Sequence, residues 1–464
     1  MRRTAGRSAG SDQGVTGPIA PRLEYTVSSL TARPPGWTLE PMRREAAWEY
    51  LRGALWALPT LSVLLALVLG SVLSSIDVSA SSPLVFQGTP DDARTLLIAI
   101  TSTMATVIAL VLGLTVVALQ LASTQFSPRL LRNFLRDRLN QIVLSVFVAT
   151  FTYSAAGLYT VGVESGQRVD EYPRLAVSGA LVLLFLSLVM LVFFVHHLMH
   201  SIQIDEVMRS VERSTLRVLA HDLPTDGITA ESVVPPDHAV EVPAHRSGWV
   251  QTVHPEVLLR PARAAGGVVA CTTMVGEYVV AGTPLLRIWD GIPDPEQFHA
   301  VLRYAVRIGF ERTAEQDVAF GVRQLADIAV KALSPAINDP YTAIQSLEHI
   351  GVVLASLAPR PLGGQLLCDP DGSPRVWMPG RDLRYYLDLA TGQIRRYGAS
   401  EPRVALALIR VLRTTARFCR DDSGRSLVAE QIRLVLEAAE LGIRQQDDLE
   451  PVRAAAARAL SAIG

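Results

Sequence analysis

The sequence predicts an α-helical multipass membrane domain of four spans followed by a cytoplasmic α+β region, in which a small β barrel-sandwich-like domain precedes a helical domain. Three observations carry this reading. Hydrophobic residues make up 49% of the 464 and charged residues only 19%, with a mean hydropathy of +0.27, and an ordinary soluble domain carries roughly 25% charge. Four uncharged apolar stretches reach spanning length. Beyond them the pattern changes first to short alternating runs and then to amphipathic helical ones.

Residues 1–41 are rich in Gly, Pro, Ser and Thr and lack a contiguous apolar run, so ordering them would recover little of its entropy cost and a disordered extension is expected. Met42, opening MRREAAWEYLR, is an alternative start. The membrane domain then occupies 42–200, with spans at about 54–76, 96–121, 141–163 and 175–195, each 21 to 26 residues long. At roughly 1.5 Å rise per residue, that length crosses a hydrocarbon core of about 30 Å. Arg43, Arg44, Arg52, Arg129, Arg132, Arg136 and Arg138 flank one side, against Arg94, Arg168 and Arg174 on the other. The positive-inside rule therefore places both termini in the cytoplasm of a bacterial plasma membrane.

Residues 201–236 read as a helical connector, because Val207, Val211 and Leu219 recur near helical spacing. Residues 237–292 (HAVEVPAHRSGWVQTV, GGVVACTTMV, EYVVAGTPLLRIWD) alternate between turns and read as the small β domain. SGWVQTV and VGEYVVAGTPLLRI resemble the biotinyl/lipoyl-like barrel-sandwich hairpin. Lysine is absent from 238–292, which excludes the carrier role of that fold. Residues 293–464 turn helical. Asp294-Pro295 is expected to open a helix, Thr313 with Gln316 to form a capping box, and Asp339-Pro340 to cap a helix reaching about Leu357. Further helices are expected near 382–396, 401–419, 425–443 and 448–462, with a hairpin near 364–378.

VVALQLASTQFSPRLLRNFLRD, FFVHHLMHSIQ and ERTAEQDVAFGVRQLADIAVKALSPAINDPYTA together resemble the bacterial integral membrane proteins of the domain-of-unknown-function 2254 family, from about Met42 to the carboxyl end. The resemblance implies four spans and a cytoplasmic carboxyl region, and it assigns no established activity.

Three groups of residues are candidates for chemistry. Thr95, Ser102, Thr106, Gly113, Gln120 and Thr124 follow one another at steps of 7, 4, 7, 7 and 4 on one face of the second span. Such a face lines a water-filled path or lets helices pack closely. His196 and His200 stand at i, i+4, the spacing for a metal ion or a shared proton. Glu311, Arg312, Asp317, Arg323, Asp327, Asn338 and Asp339 concentrate polar groups among apolar helical positions, as a ligand site or as a structural ion-pair and capping network.

A balance of 43 basic and 44 acidic residues speaks against nucleic acid as a partner; the expected partners are the lipid bilayer and further copies of the chain. Cys271, Cys368 and Cys419 lie too far apart in sequence for a zinc motif, and no phosphate loop, GxSxG, HExxH or CxxC occurs. No cofactor is assigned and no enzyme is expected. The functional expectation is an oligomeric channel-like or transport-like protein, with a non-conducting sensor or scaffold as the alternative.

Overall fold

The computed structural model describes residues 57–76, 78, 85–125, 138–161, 172–201, 203–223, 233–291 and 304–463. The amino-terminal extension, the arginines at 129, 132, 136 and 168, and the helix start expected at Asp294-Pro295 lie outside these residues.

Among the described residues, four helices are long and apolar enough to cross a membrane: α1 (Ala57–Ser75), α2 (Pro90–Gln125), α3 (Arg138–Thr160) and α4 (Arg174–Ser201). The third is the centre of the bundle and packs against the other three. Accordingly it buries residues on more than one face, among them Gln141, Phe147, Thr150, Tyr153 and Ser154. Polar groups join it to α4: the Thr150 and Ser187 hydroxyls stand 2.8 Å apart, and Tyr153 donates to the Ala176 carbonyl at 2.7 Å. Small residues permit the approach. A Cβ at Gly179 would stand 2.6 Å from the Tyr153 hydroxyl oxygen, which is the close helix contact expected inside a bilayer. By contrast α1 exposes Leu61, Leu64, Leu65 and Val68, a lipid-facing surface.

Two residues after α4 the chain enters α5 (Ile204–Asp222), which buries Met208, Val211, Thr215 and Leu219 on one stripe. This stripe makes α5 amphipathic. The β layer follows as β1 (Val240–Pro243), β2 (Gly248–Val253), β3 (Val268–Cys271), β4 (Tyr278–Val279), β5 (Pro284–Trp289) and β6 (Val306–Gly309), with α6 (Pro255–Ala265) inserted after β2. This helix has a Pro at its start and Gly266 at φ 69° closing it, start and stop signals that the strand pattern around them concealed.

The helical part comprises α7 (Val318–Ala332), α8 (Pro340–Leu357), α9 (Leu383–Gly398), α10 (Pro402–Phe418), α11 (Asp422–Gly442) and α12 (Gln446–Ser461), with β7 (Gln365–Cys368) and β8 (Pro374–Met378) between α8 and α9. One core spans α5 and all six of these helices.

Two expectations are corrected. The hairpin β7–β8 does not stand among the helices, because β8 pairs in parallel with β3 (Val269 with Val376, Ala270 with Trp377) and completes a five-stranded sheet of order β1-β5-β3-β8-β7. Val376 is thereby fully buried with Val269 and Leu286. The capping box Thr313/Gln316 does not form. The helix starts later, at Val318, where the Asp317 carboxylate accepts from the Phe320 amide at 3.0 Å. Gln316 instead accepts from the Val253 amide of β2 at 2.8 Å. A charged acceptor one residue before the helix outcompetes a hydroxyl four residues further back.

Candidate functional site

The polar cluster read from the sequence spreads along α7, with Asp317 before its start, Arg323 and Asp327 in its middle and Asn338 and Asp339 beyond its end, and the 15 residues of the helix put its two ends about 22 Å apart. At its start stands Asp317, with its side chain completely buried. Arg312 donates to it through Nε at 2.6 Å, and Arg381 lies 3.7 Å away. Both guanidinium groups also stack on rings, Arg312 over Phe320 at 5.3 Å and Arg381 over Tyr385 at 5.1 Å. Arg381 reaches on to the Val275 carbonyl at 2.8 Å, in the turn before β4. There Gly276, at φ 84°, lies so close that an added Cβ would run into the Asp317 carboxylate. Gly276 and Arg381 are distant in sequence from the others and share no motif with them, which is why the sequence did not add them to the cluster.

At the far end of α7, Asp339 caps α8, accepting from the Thr342 amide at 3.1 Å and the Thr342 hydroxyl at 2.6 Å. The hydroxyl bond and then the amide bond hold the Asp339 carboxyl below the usual carboxylate range. Asn338 takes the left-handed conformation, φ 48°, which asparagine tolerates better than most residues. Arg323 and Asp327 pair at 2.9 Å along α7 itself. Glu311 offers its backbone carbonyl to the Gln251 amide at 2.7 Å.

In the membrane domain, α4 brings the rings of His196 and His200 to 4.2 Å between centroids. His200 Nδ1 lies 2.9 Å from the His196 carbonyl. A carbonyl only accepts, so Nδ1 carries the hydrogen and Nε2 is the nitrogen left for a ligand. Among the described residues, no group of three or more His, Cys, Asp or Glu gathers as a metal site.

Along α2, Thr95, Ser102, Thr106, Gly113 and Gln120 are all exposed, whereas Ala93, Leu97, Ile100, Met104, Val111 and Ala118 are buried. The hydroxyl and amide face therefore turns away from the other three spans of the same chain. The side chain of Thr124 lies outside the described residues.

The cysteines are free. Burial raises the Cys271 thiol to about 12 and, more than the neighbouring Arg425 lowers it, the Cys419 thiol to about 11, so neither supplies a thiolate at neutral pH.

An uncharacterized protein of Mycobacterium bovis and one of Mycobacterium tuberculosis are each 45% identical over 434 residues, covering 91% of this chain and 83% of the relative. No solved structure matches. The description "Predicted membrane protein (DUF2254)" matches residues 52–414, which include the four apolar helices, the β layer and α7 to α9. The chain belongs to the DUF2254 family of membrane proteins.

Proposed function

We propose that this protein is an oligomeric, channel-like or transport-like protein of the bacterial plasma membrane, without enzymatic activity. In this reading both termini and the α+β region lie in the cytoplasm, and the barrel-sandwich-like β domain with the helical domain serves as assembly platform or gate. The observation that carries it is the outward exposure of Ser102, Thr106, Gly113 and Gln120 on α2. A glutamine amide turned to hydrocarbon is costly. The same face surrounding an axis between copies would meet water, where hydroxyls and amides hydrate a passing ion.

A second reading, a non-conducting membrane-anchored sensor or scaffold, has its own support. The Thr95 and Thr106 hydroxyls donate to the Asp91 and Ser102 carbonyls of their own helix, at 2.8 and 3.1 Å, and so need no water. Replacing Gln120 by Leu separates the two. Ion flux into proteoliposomes is expected to change at least several-fold while the detergent melting temperature stays within a few degrees. Unchanged flux with a shifted melting temperature would favour the scaffold.

A further inference from the structure

At the end of the bundle where α1 and α3 stop and α2 and α4 begin, all four helices contribute to one cavity of about 250 Å³. Its deep end is made by Leu67 of α1 and Tyr153 of α3, each seven residues before a hydroxyl at the mouth, Ser74 and Thr160 respectively. Seven residues are about 10 Å of helix. Leu97 of α2, Val177 of α4 and Val161 just after α3 complete a buried inner wall. The slot is therefore apolar at depth and hydroxylated at its opening, and no charged side chain stands among its described lining residues. Arg94 and Arg174, near the starts of α2 and α4, mark the level at which these helices leave hydrocarbon.

Small residues create the space without closing it. Gly70 and Gly157 both line the cavity. A Cβ at Gly70 would meet only the Tyr153 ring, at 3.6 Å, and one at Gly157 only Leu97, at 3.3 Å. Gly179, outside the cavity, is by contrast pressed against the Tyr153 hydroxyl. Glycine in a membrane helix ordinarily brings two backbones together, and here it leaves room. The helix that borders this room is the least supported of the four, since Ala66 is the one buried residue among the described residues of α1. An apolar hollow holds water poorly, and side chains that face it empty forgo their dispersion contacts.

We infer that this cavity is a binding site for one acyl chain of a phospholipid from the surrounding bilayer. The inference rests on the reading that the four helices span that bilayer. In the bound state the hydrocarbon runs along α1 toward Leu67 and Tyr153, and the ester region lies at the mouth. There the Thr160 hydroxyl is already engaged with the Gly157 carbonyl at 3.0 Å, while those of Ser71 and Ser74 form no hydrogen bond among the described residues and can donate to an ester carbonyl. The gradient from hydroxyl to hydrocarbon along 10 Å of helix is the gradient of a lipid leaflet. A second copy of the chain fits less well: α1 keeps its packing against both α3 and α4 around the cavity, so the opening is narrower than a helix of about 10–12 Å. A bound chain would complete the packing of α1 at this end.

The test uses the full chain in proteoliposomes doped with a phosphatidylcholine that carries a photoactivatable diazirine midway along one acyl chain. Adducts are mapped to residues by mass spectrometry. Adducts at 67–74 of α1 and 153–161 of α3 should saturate with probe and be chased by excess unlabelled lipid. Adducts at Phe185 and Val189, exposed on α4, should instead rise in proportion to probe. Ala156→Leu, which fills the slot, should lower the saturable labelling at least tenfold and leave that at 185 and 189 unchanged. Ser74→Ala, a substitution that fills nothing, should weaken binding about threefold, the effect of one lost hydrogen bond, and it serves as the test if Ala156→Leu does not fold. Labelling of the cavity that does not saturate, or that persists in a folded Ala156→Leu protein, overturns the inference. So does a benzophenone side chain at Leu67 that captures a second copy and no lipid. Positions 185 and 189 report on the premise: without lipid adducts there the spanning assignment has failed, and with them but none in the cavity only the binding site has.

Discussion

Two aspartates do the same local work and differ in how easily the sequence reveals it. Asp339 precedes a proline, whose missing amide and fixed φ suit the first helical position, so cap and helix start are legible together. Asp317 lies beside a Thr–x–x–Gln pattern that imitates a cap, and only the folded chain shows Gln316 engaged with β2. Asp339→Ala should cost about 0.5–2 kcal/mol, read from denaturant midpoints. The carboxyl is held below its usual value in the folded state. Its contribution is therefore complete above the unfolded value of about 3.9 and is lost as pH falls through the lower folded value. Thermal melts of wild type and variant should accordingly converge on acidification below about pH 4 and stay apart above it.

Between elements, Asp317 joins three pieces of the chain: α7 through its cap, the turn before β4 through Gly276 and Val275, and the loop before α9 through Arg381. Burying one carboxylate between two arginines stabilises little by itself, but removing it leaves buried positive charge without a counter-ion. Asp317→Ala should cost about 3–5 kcal/mol. Glu348→Ala, which removes the partner of Arg410 in a pair exposed by more than half on both sides, should cost under about 1 kcal/mol. Equal losses in urea melts of the two variants would show that the Asp317 cluster does not couple the elements. The hairpin makes the related point for strands. Alternation and turn residues announced β7 and β8, whereas the partner strand β3 lies about a hundred residues earlier in the chain, and strand periodicity carries no information about so distant a neighbour.

For the whole molecule the arginine distribution makes a direct forecast of topology. Reporter fusions after Gly464 and in the loop near Gln87 should report opposite sides of the membrane, with the carboxyl end in the cytoplasm; activity of both on one side would reject the even number of crossings. The sequence by itself determined the four apolar helices, the change to strands and then helices, and the cap at Asp339. These follow from hydrophobic length, periodicity and local turn chemistry, all of which act over a few residues to a few tens. Only the tertiary structure decided that the hydroxyl face of α2 turns outward, that the polar residues of 311–339 spread along one helix instead of gathering at one site, and that Gly276 and Arg381 converge on Asp317. The physical reason is that a stripe or a cluster in sequence specifies which side chains share a face, while the direction of that face is set by packing against helices and strands far away in the chain.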